Sequence, residues 1–180
     1  MKRRSFLDQS TIGFAGLLIS PNILRLHKKK NAVIDNMKFE PFAVSTWNVP
    51  VANKIAGNEL DNGAIALDAA VKGVAYEEAN ILNTTVGKGG APDRDGNVTL
   101  DACVMNHEGN CGAVLAVQNI THVAALAKEV MIQTPHVILA GEGARKFAIN
   151  QGYILENLLS EESKKAWEKW LKNKDFKVKI

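Results

Sequence analysis

Hydroxyl nucleophiles are the first chemistry to look for, and this chain has seven threonines, at positions 11, 46, 84, 85, 99, 121 and 134. A threonine hydroxyl attacks an acyl carbon only when a base takes its proton. The other reactive side chains are scattered. His107, His122 and His136 have no partner at ligand spacing, so no metal site is expected. Cys103 and Cys111 fall on neighbouring predicted strands at a diagonal offset, which predicts free thiols rather than a bridge. Gly87-Lys88-Gly89-Gly90 invites comparison with a phosphate loop. The spacing is not that of a nucleotide-binding glycine loop and no helix follows, so a backbone pressed closely against another segment is the better reading. Trp47, at the end of a short apolar run, and the pair Trp167/Trp170 complete the inventory.

These groups must be positioned by a mixed α/β fold. Phe42 to Trp47 is a short β-favouring run stopped by Pro50, which predicts a strand. Leu67, Ala70, Val71, Val74 and Ala75 recur at helical spacing within the alanine-rich run 63–79. Runs 97–105 and 111–117 read as strands joined by the turn-rich Asn106 to Asn110. Thr121 is a candidate cap for a helix carrying Val123, Leu126, Ala127, Val130 and Met131 on one face. A short strand at 136–140 and a helix over 144–151 ended by Gly152 follow. Ser160 is placed to cap a last helix, with Trp167, Trp170 and Leu171 as its expected buried stripe. Between these elements, 80–96 is a long unstructured stretch of the kind usually kept for function.

Composition narrows the class. A hydrophobic share of 46% over 180 residues is enough for one domain's core, and 23% charged is ordinary for a globular chain. The net charge of +3 misleads, because seven of the 22 basic residues lie within positions 1–30, leaving 15 basic against 18 acidic beyond them. The body is mildly acidic, which argues against a nucleic-acid partner. Met1-Lys-Arg-Arg-Ser-Phe-Leu7 resembles the start of a twin-arginine export signal, and the apolar run 11–20 has signal-peptide length, short of a membrane span. Residues 1–30 are therefore expected to be an export signal directing the protein to the periplasm. Residues 31–40 are expected to be a linker, and 41–180 the functional part.

Five segments in order carry a family resemblance. They are Ser45-Thr-Trp-Asn48, Ala66-Leu-Asp-Ala69, the stretch from Val86 to Gly96 with its Gly-Gly-x-Pro-Asp core, Val98-Thr-Leu-Asp-Ala102, and Thr134-Pro-His-Val-Ile-Leu with Gly141-x-Gly143. Together they are similar to glycosylasparaginase, also called aspartylglucosaminidase, of the N-terminal-nucleophile hydrolases. The opening Val44-Ser-Thr-Trp-Asn48 differs from the Ile-His-Gly-Gly-like start of the related asparaginases and isoaspartyl peptidases.

The resemblance implies a four-layer αββα sandwich and a precursor that cuts itself before a threonine in a His-Asp-Thr-Ile-Gly-like motif. The freed threonine becomes the nucleophile of a β subunit, and the substrate is an asparagine whose amide carries N-acetylglucosamine. No cofactor is implied. None of the seven threonines follows a His-Asp pair, so the chain corresponds to an α subunit, its partner a β half beginning with Thr in an αβ dimer, with no catalytic residue of its own. The resemblance places Trp47 and Val49 at the substrate pocket, Val49 where some relatives carry an aromatic. A strand-end tryptophan filling the core is the alternative for Trp47. Lys88 stands where an aromatic is common, and Asp68 and Asp101 are expected to hold structure. The other readings of the whole are a truncated pseudo-enzyme, an exported binding module, or an asparaginase or isoaspartyl peptidase-like hydrolase.

Overall fold

The computed structural model describes residues 40–172. The expected export signal and all but the last residue of the linker lie outside them. The described residues form a mixed α+β arrangement of five helices and one three-stranded sheet, in the order α1 (Pro50–Asp61), α2 (Ala66–Ala79), β1 (Thr99–Met105), β2 (Cys111–Gln118), α3 (Val123–Gln133), β3 (Ile138–Ala140), α4 (Gly141–Asn150) and α5 (Glu161–Lys172). None of these helices is long and apolar enough to cross a membrane.

The sheet is built on the expected hairpin. β1 and β2 pair antiparallel from Thr99 opposite Gln118 to Met105 opposite Cys111. Asn106 makes the turn, its Oδ1 accepting the N–H groups of Glu108 at 3.0 Å and Asn110 at 2.9 Å. Cys103 lies opposite Ala113, diagonal to Cys111, and both thiols are free. A bulge interrupts the ladder where Ala116 adopts a left-handed φ of 51°. Asp101 secures it by accepting the Ala116 N–H at 2.6 Å, so this aspartate is structural as expected. β3 then pairs parallel with β2, with α3 as the crossover, and β1 is an edge among the described residues.

α3 lies tightly on this sheet. Leu126, Ala127 and Val130 are fully buried, as are Val114 and Val117 of β2. Gly112 makes the close approach possible, because a Cβ there would land on the Ala127 carbonyl and press on Met131. Each buried leucine or valine contributes about 1.5–3 kcal/mol relative to leaving it in water. α4 seals the same core with Ala144 and Ala148 and ends at Gly152 (φ 88°), where Tyr153 N–H donates back to the Ala148 carbonyl at 3.0 Å.

Three expectations fail for identifiable reasons. Phe42 to Trp47 is not a strand, since no neighbouring strand among the described residues pairs with it and a strand is a pairing before it is a propensity. Pro50 does not merely stop that run but opens α1 at its first position, where a missing N–H costs nothing. α1 ends at Gly63 (φ 84°), with Gly63 and Ala64 donating to the Leu60 and Glu59 carbonyls. It crosses α2 so closely that a Cβ on Gly73 would come 2.6 Å from the Ala52 carbonyl oxygen. The third failure is the tryptophan stripe. Ser160 does cap α5, accepting the Ser163 N–H at 3.1 Å, but Trp167 is only half-buried and Trp170 is 48% exposed. α5 rests on the 80–96 loop rather than on an apolar layer. The Trp167 ring lies over Gly96, its indole N–H donates to the Arg94 carbonyl at 3.1 Å, and the Ser163 hydroxyl donates to the Gly89 carbonyl.

Candidate functional site

Trp47 and Val49 stand together just before α1, on the segment that lacks a strand partner. The Trp47 side chain is 66% exposed, which rules out the core-filling alternative within the described residues. Val49 is half-buried and is the N-cap residue of α1, and its N–H donates to the Trp47 carbonyl at 2.9 Å. The same carbonyl accepts the Ser45 hydroxyl at 2.6 Å, and Asn53 Nδ2 donates to Ser45 Oγ at 3.0 Å. Val49, Val44 and Ala52 help to line a shallow groove of about 290 Å³ that runs between this segment and α2. Trp47 is not among the residues that line this groove; its exposed indole offers a flat apolar face and an N–H donor.

The glycine loop is the second expected feature, and its glycines do what close packing requires. Gly87 (φ 63°) and Gly89 (φ 95°) sit where a Cβ would collide with the backbone of Glu78 and of Ile81. Lys88 N–H donates to the Glu78 carbonyl at 2.7 Å, and Gly89 N–H to the Leu158 carbonyl at 2.7 Å. The Lys88 ammonium reaches Glu156 at 2.9 Å, and the Thr121 hydroxyl donates to the same carboxylate at 2.9 Å. Lys88 and Thr121 together hold the Glu156 carboxyl below the usual carboxylate range. Thr121 therefore serves Glu156, while His122 is the residue at the α3 N-cap, without a side-chain cap bond. Asp68 pairs with Lys128 at 2.6 Å, tying α2 to α3.

Sequence reasoning missed Glu78. The residue is 3% exposed at the end of α2, and its carboxylate accepts the Ala124 N–H at 2.8 Å, capping α3 from a different helix, with His122 Nδ1 3.3 Å away. Burial pushes its carboxyl above the usual range, more than these bonds pull it down. Burial, with the charges of Glu129 and Glu78, also pushes the Tyr153 phenol up to about 12. The only signal in the chain was the position of Glu78 just before the glycine loop. Asn53 was missed too, because no helix was expected around it.

A larger groove of about 620 Å³ runs along the free edge of β1, walled by Leu67, Val71 and Val74 of α2 on one side and by Leu100 and Val104 on the other. The expected apolar face of α2 thus exists but is only partly covered: Leu67 and Val71 pack against the core, while Val74 is 44% exposed. Among the described residues no group of three His, Cys, Asp or Glu side chains converges to hold a metal.

The asparaginase family model matches residues 21–179, and this chain belongs to that family. It is 42% identical over 180 residues to an N(4)-(β-N-acetylglucosaminyl)-L-asparaginase from Elizabethkingia miricola, a match covering 97% of this chain and 51% of that one. A rat protein of the same name is 37% identical over 132 residues, covering 73% of this chain and 38% of its own. An Arabidopsis thaliana protein named Probable isoaspartyl peptidase/L-asparaginase 3 is 40% identical over 135 residues, covering 74% and 38%. The chain spans about half the length, or less, of these relatives.

Proposed function

We propose that this chain is the α-subunit portion of an amidohydrolase that cleaves the amide of N4-(β-N-acetylglucosaminyl)-L-asparagine, active only with a β half that begins with threonine. The observation that carries it is the Elizabethkingia match, which takes in nearly all of this chain and only half of the relative. The absence of any threonine after a His-Asp pair agrees with it. On this reading the β half brings the nucleophile, whose α-amino group titrates near pH 8 (about 7.7–8.0) and so takes the hydroxyl proton at neutral pH. It also brings the donors for the oxyanion. Trp47 and Val49 contribute one wall of the substrate pocket. The β1 edge, unpaired among the described residues, and the partly covered face of α2 support an αβ dimer in which the second half completes an αββα sandwich.

The test is aspartate release from glucosaminyl-asparagine by the purified chain, alone and co-folded with a Thr-initiated β half from a relative. No turnover alone and turnover with the β half is the expected outcome. Turnover by the chain alone, surviving removal of trace contaminants, overturns it. The Arabidopsis match favours one rival, in which isoaspartyl dipeptides are cleaved in place of the glycosylated substrate.

Export follows from the Lys2-Arg3-Arg4-Ser5-Phe6-Leu7 run, since twin-arginine recognition needs the guanidinium pair. Replacing Arg3 and Arg4 together by Lys is expected to keep the protein in the cytoplasm on fractionation. An undiminished periplasmic signal refutes the export route.

A further inference from the structure

Trp47, proposed above as a pocket-wall residue, is exposed on a segment that no strand among the described residues pairs with, and an unsupported extended stretch samples many conformations at a cost to any ligand that needs one of them. The structure supplies a different support. Both bonds to the Trp47 carbonyl come from nearby: the Ser45 hydroxyl at 2.6 Å and the Val49 N–H at 2.9 Å, the latter closing a three-residue turn around Asn48. A hydroxyl proton can point in several directions. Asn53 Nδ2 settles it by donating to Ser45 Oγ at 3.0 Å, which leaves the hydroxyl hydrogen for Trp47. Asn53 also donates its backbone N–H to the Val49 carbonyl at 3.1 Å, so one α1 residue grips the segment at two points. α1 is itself fixed, since Ala52 and Ala56 are buried and cross α2 at Gly73.

We propose that Ser45 and Asn53 are positioning residues for the substrate-binding site: a one-way chain of donors, Asn53 to Ser45 to the Trp47 carbonyl, holds the turn that aims the exposed indole. This rests on the reading of Trp47 as a substrate contact. On this reading Ser45 and Asn53 act through Trp47, although both also line the groove of about 290 Å³. Their effect is to keep Trp47 in one place before substrate arrives, so it is read in KM more than in kcat.

The experiment has two arms. The full chain is labelled with 5-fluorotryptophan, and the Trp47 resonance is assigned by its loss in Trp47→Phe. Ser45→Ala and Asn53→Asp, which keeps the size of Asn53 but not its donor, are each expected to narrow the Trp47 line and shift it toward the free amino acid. The Trp167 and Trp170 lines stay in place and report an intact fold. Ser45→Thr restores the hydroxyl and the line. An unchanged Trp47 line in both variants overturns the proposal, as does loosening that Ser45→Thr fails to reverse. In the second arm the chain is co-folded with the Thr-initiated β half. Ser45→Ala is expected to raise KM for glucosaminyl-asparagine roughly three- to tenfold, the worth of one hydrogen bond, with kcat little changed. A fall in kcat at constant KM counts against positioning. If the NMR changes occur but Trp47→Ala leaves KM unaltered, the support of Trp47 stands and its role as a substrate contact is what fails.

Discussion

The two sides of the β1–β2 hairpin are made of similar residues and end in opposite conditions. On the β2 side, α3 descends until only glycine fits at position 112, and Val114, Val117, Leu126 and Val130 lose all contact with solvent. On the β1 side, α2 packs Leu67 and Val71 only partly against the core and leaves Val74 exposed, beside a groove of about 620 Å³ along an edge that no described strand pairs with. Apolar periodicity decides which face of an element is made for burial. Whether that face is buried depends on what is brought against it.

The sharpest way to break this contrast is a matched pair of truncations. Leu126→Ala is expected to cost about 2–5 kcal/mol in urea unfolding, while Val74→Ala costs less than about 0.5 kcal/mol. Comparable losses at both sites would mean that the open side is closed in solution. A second pair uses glycines. Gly112→Ala forces its new methyl into the Ala127 carbonyl and is expected to cost about 1–3 kcal/mol, read as a fall in melting temperature. Gly57→Ala in α1 meets nothing within 4 Å and is expected to gain roughly 0.5–1 kcal/mol, because alanine is the better helix former.

The smallest effect sharpens the comparison where the two sides meet, at Glu78. Its folded carboxyl titrates above the ordinary value of 4.5, so the native state binds more protons than the unfolded chain through that window. Stability on this account is highest below the ordinary value and falls as pH rises through the folded one. Glu78→Gln keeps an oxygen for the Ala124 N–H and removes the titration. Urea midpoints measured from pH 4 to 7 are expected to show a flatter profile for the variant, and an unchanged slope would assign the dependence to another group.

What was legible in the chain follows the same division. The hairpin, α2, β3, α4 and the body of α3 satisfy their backbone locally or against neighbouring elements, while the start of α3 needs Glu78 from α2; turn residues such as Asn106 and Gly152 announce the ends. Phe42 to Trp47 reads as a strand because its residues favour one, but propensity supplies no partner, and no described strand pairs with it. Trp167 and Trp170 were misread because helical spacing shows that they share a face, not what lies opposite it. Asn53 was invisible as a support because Pro50 reads equally well as an end and as a beginning. Of the candidate site, the types and order of residues were readable, and the donor chain that holds Trp47 was not.

The bond from Asp101 to the Ala116 N–H has a consequence for registration. A hairpin can slide by one residue at modest loss of backbone bonding, and such a slide exchanges the inward and outward side chains of a whole strand. Here the extra residue at 116 and the carboxylate that grips it act as an index pin. The hairpin clicks into a single notch, and the free margin of β1 is displayed to its surroundings in one phase only.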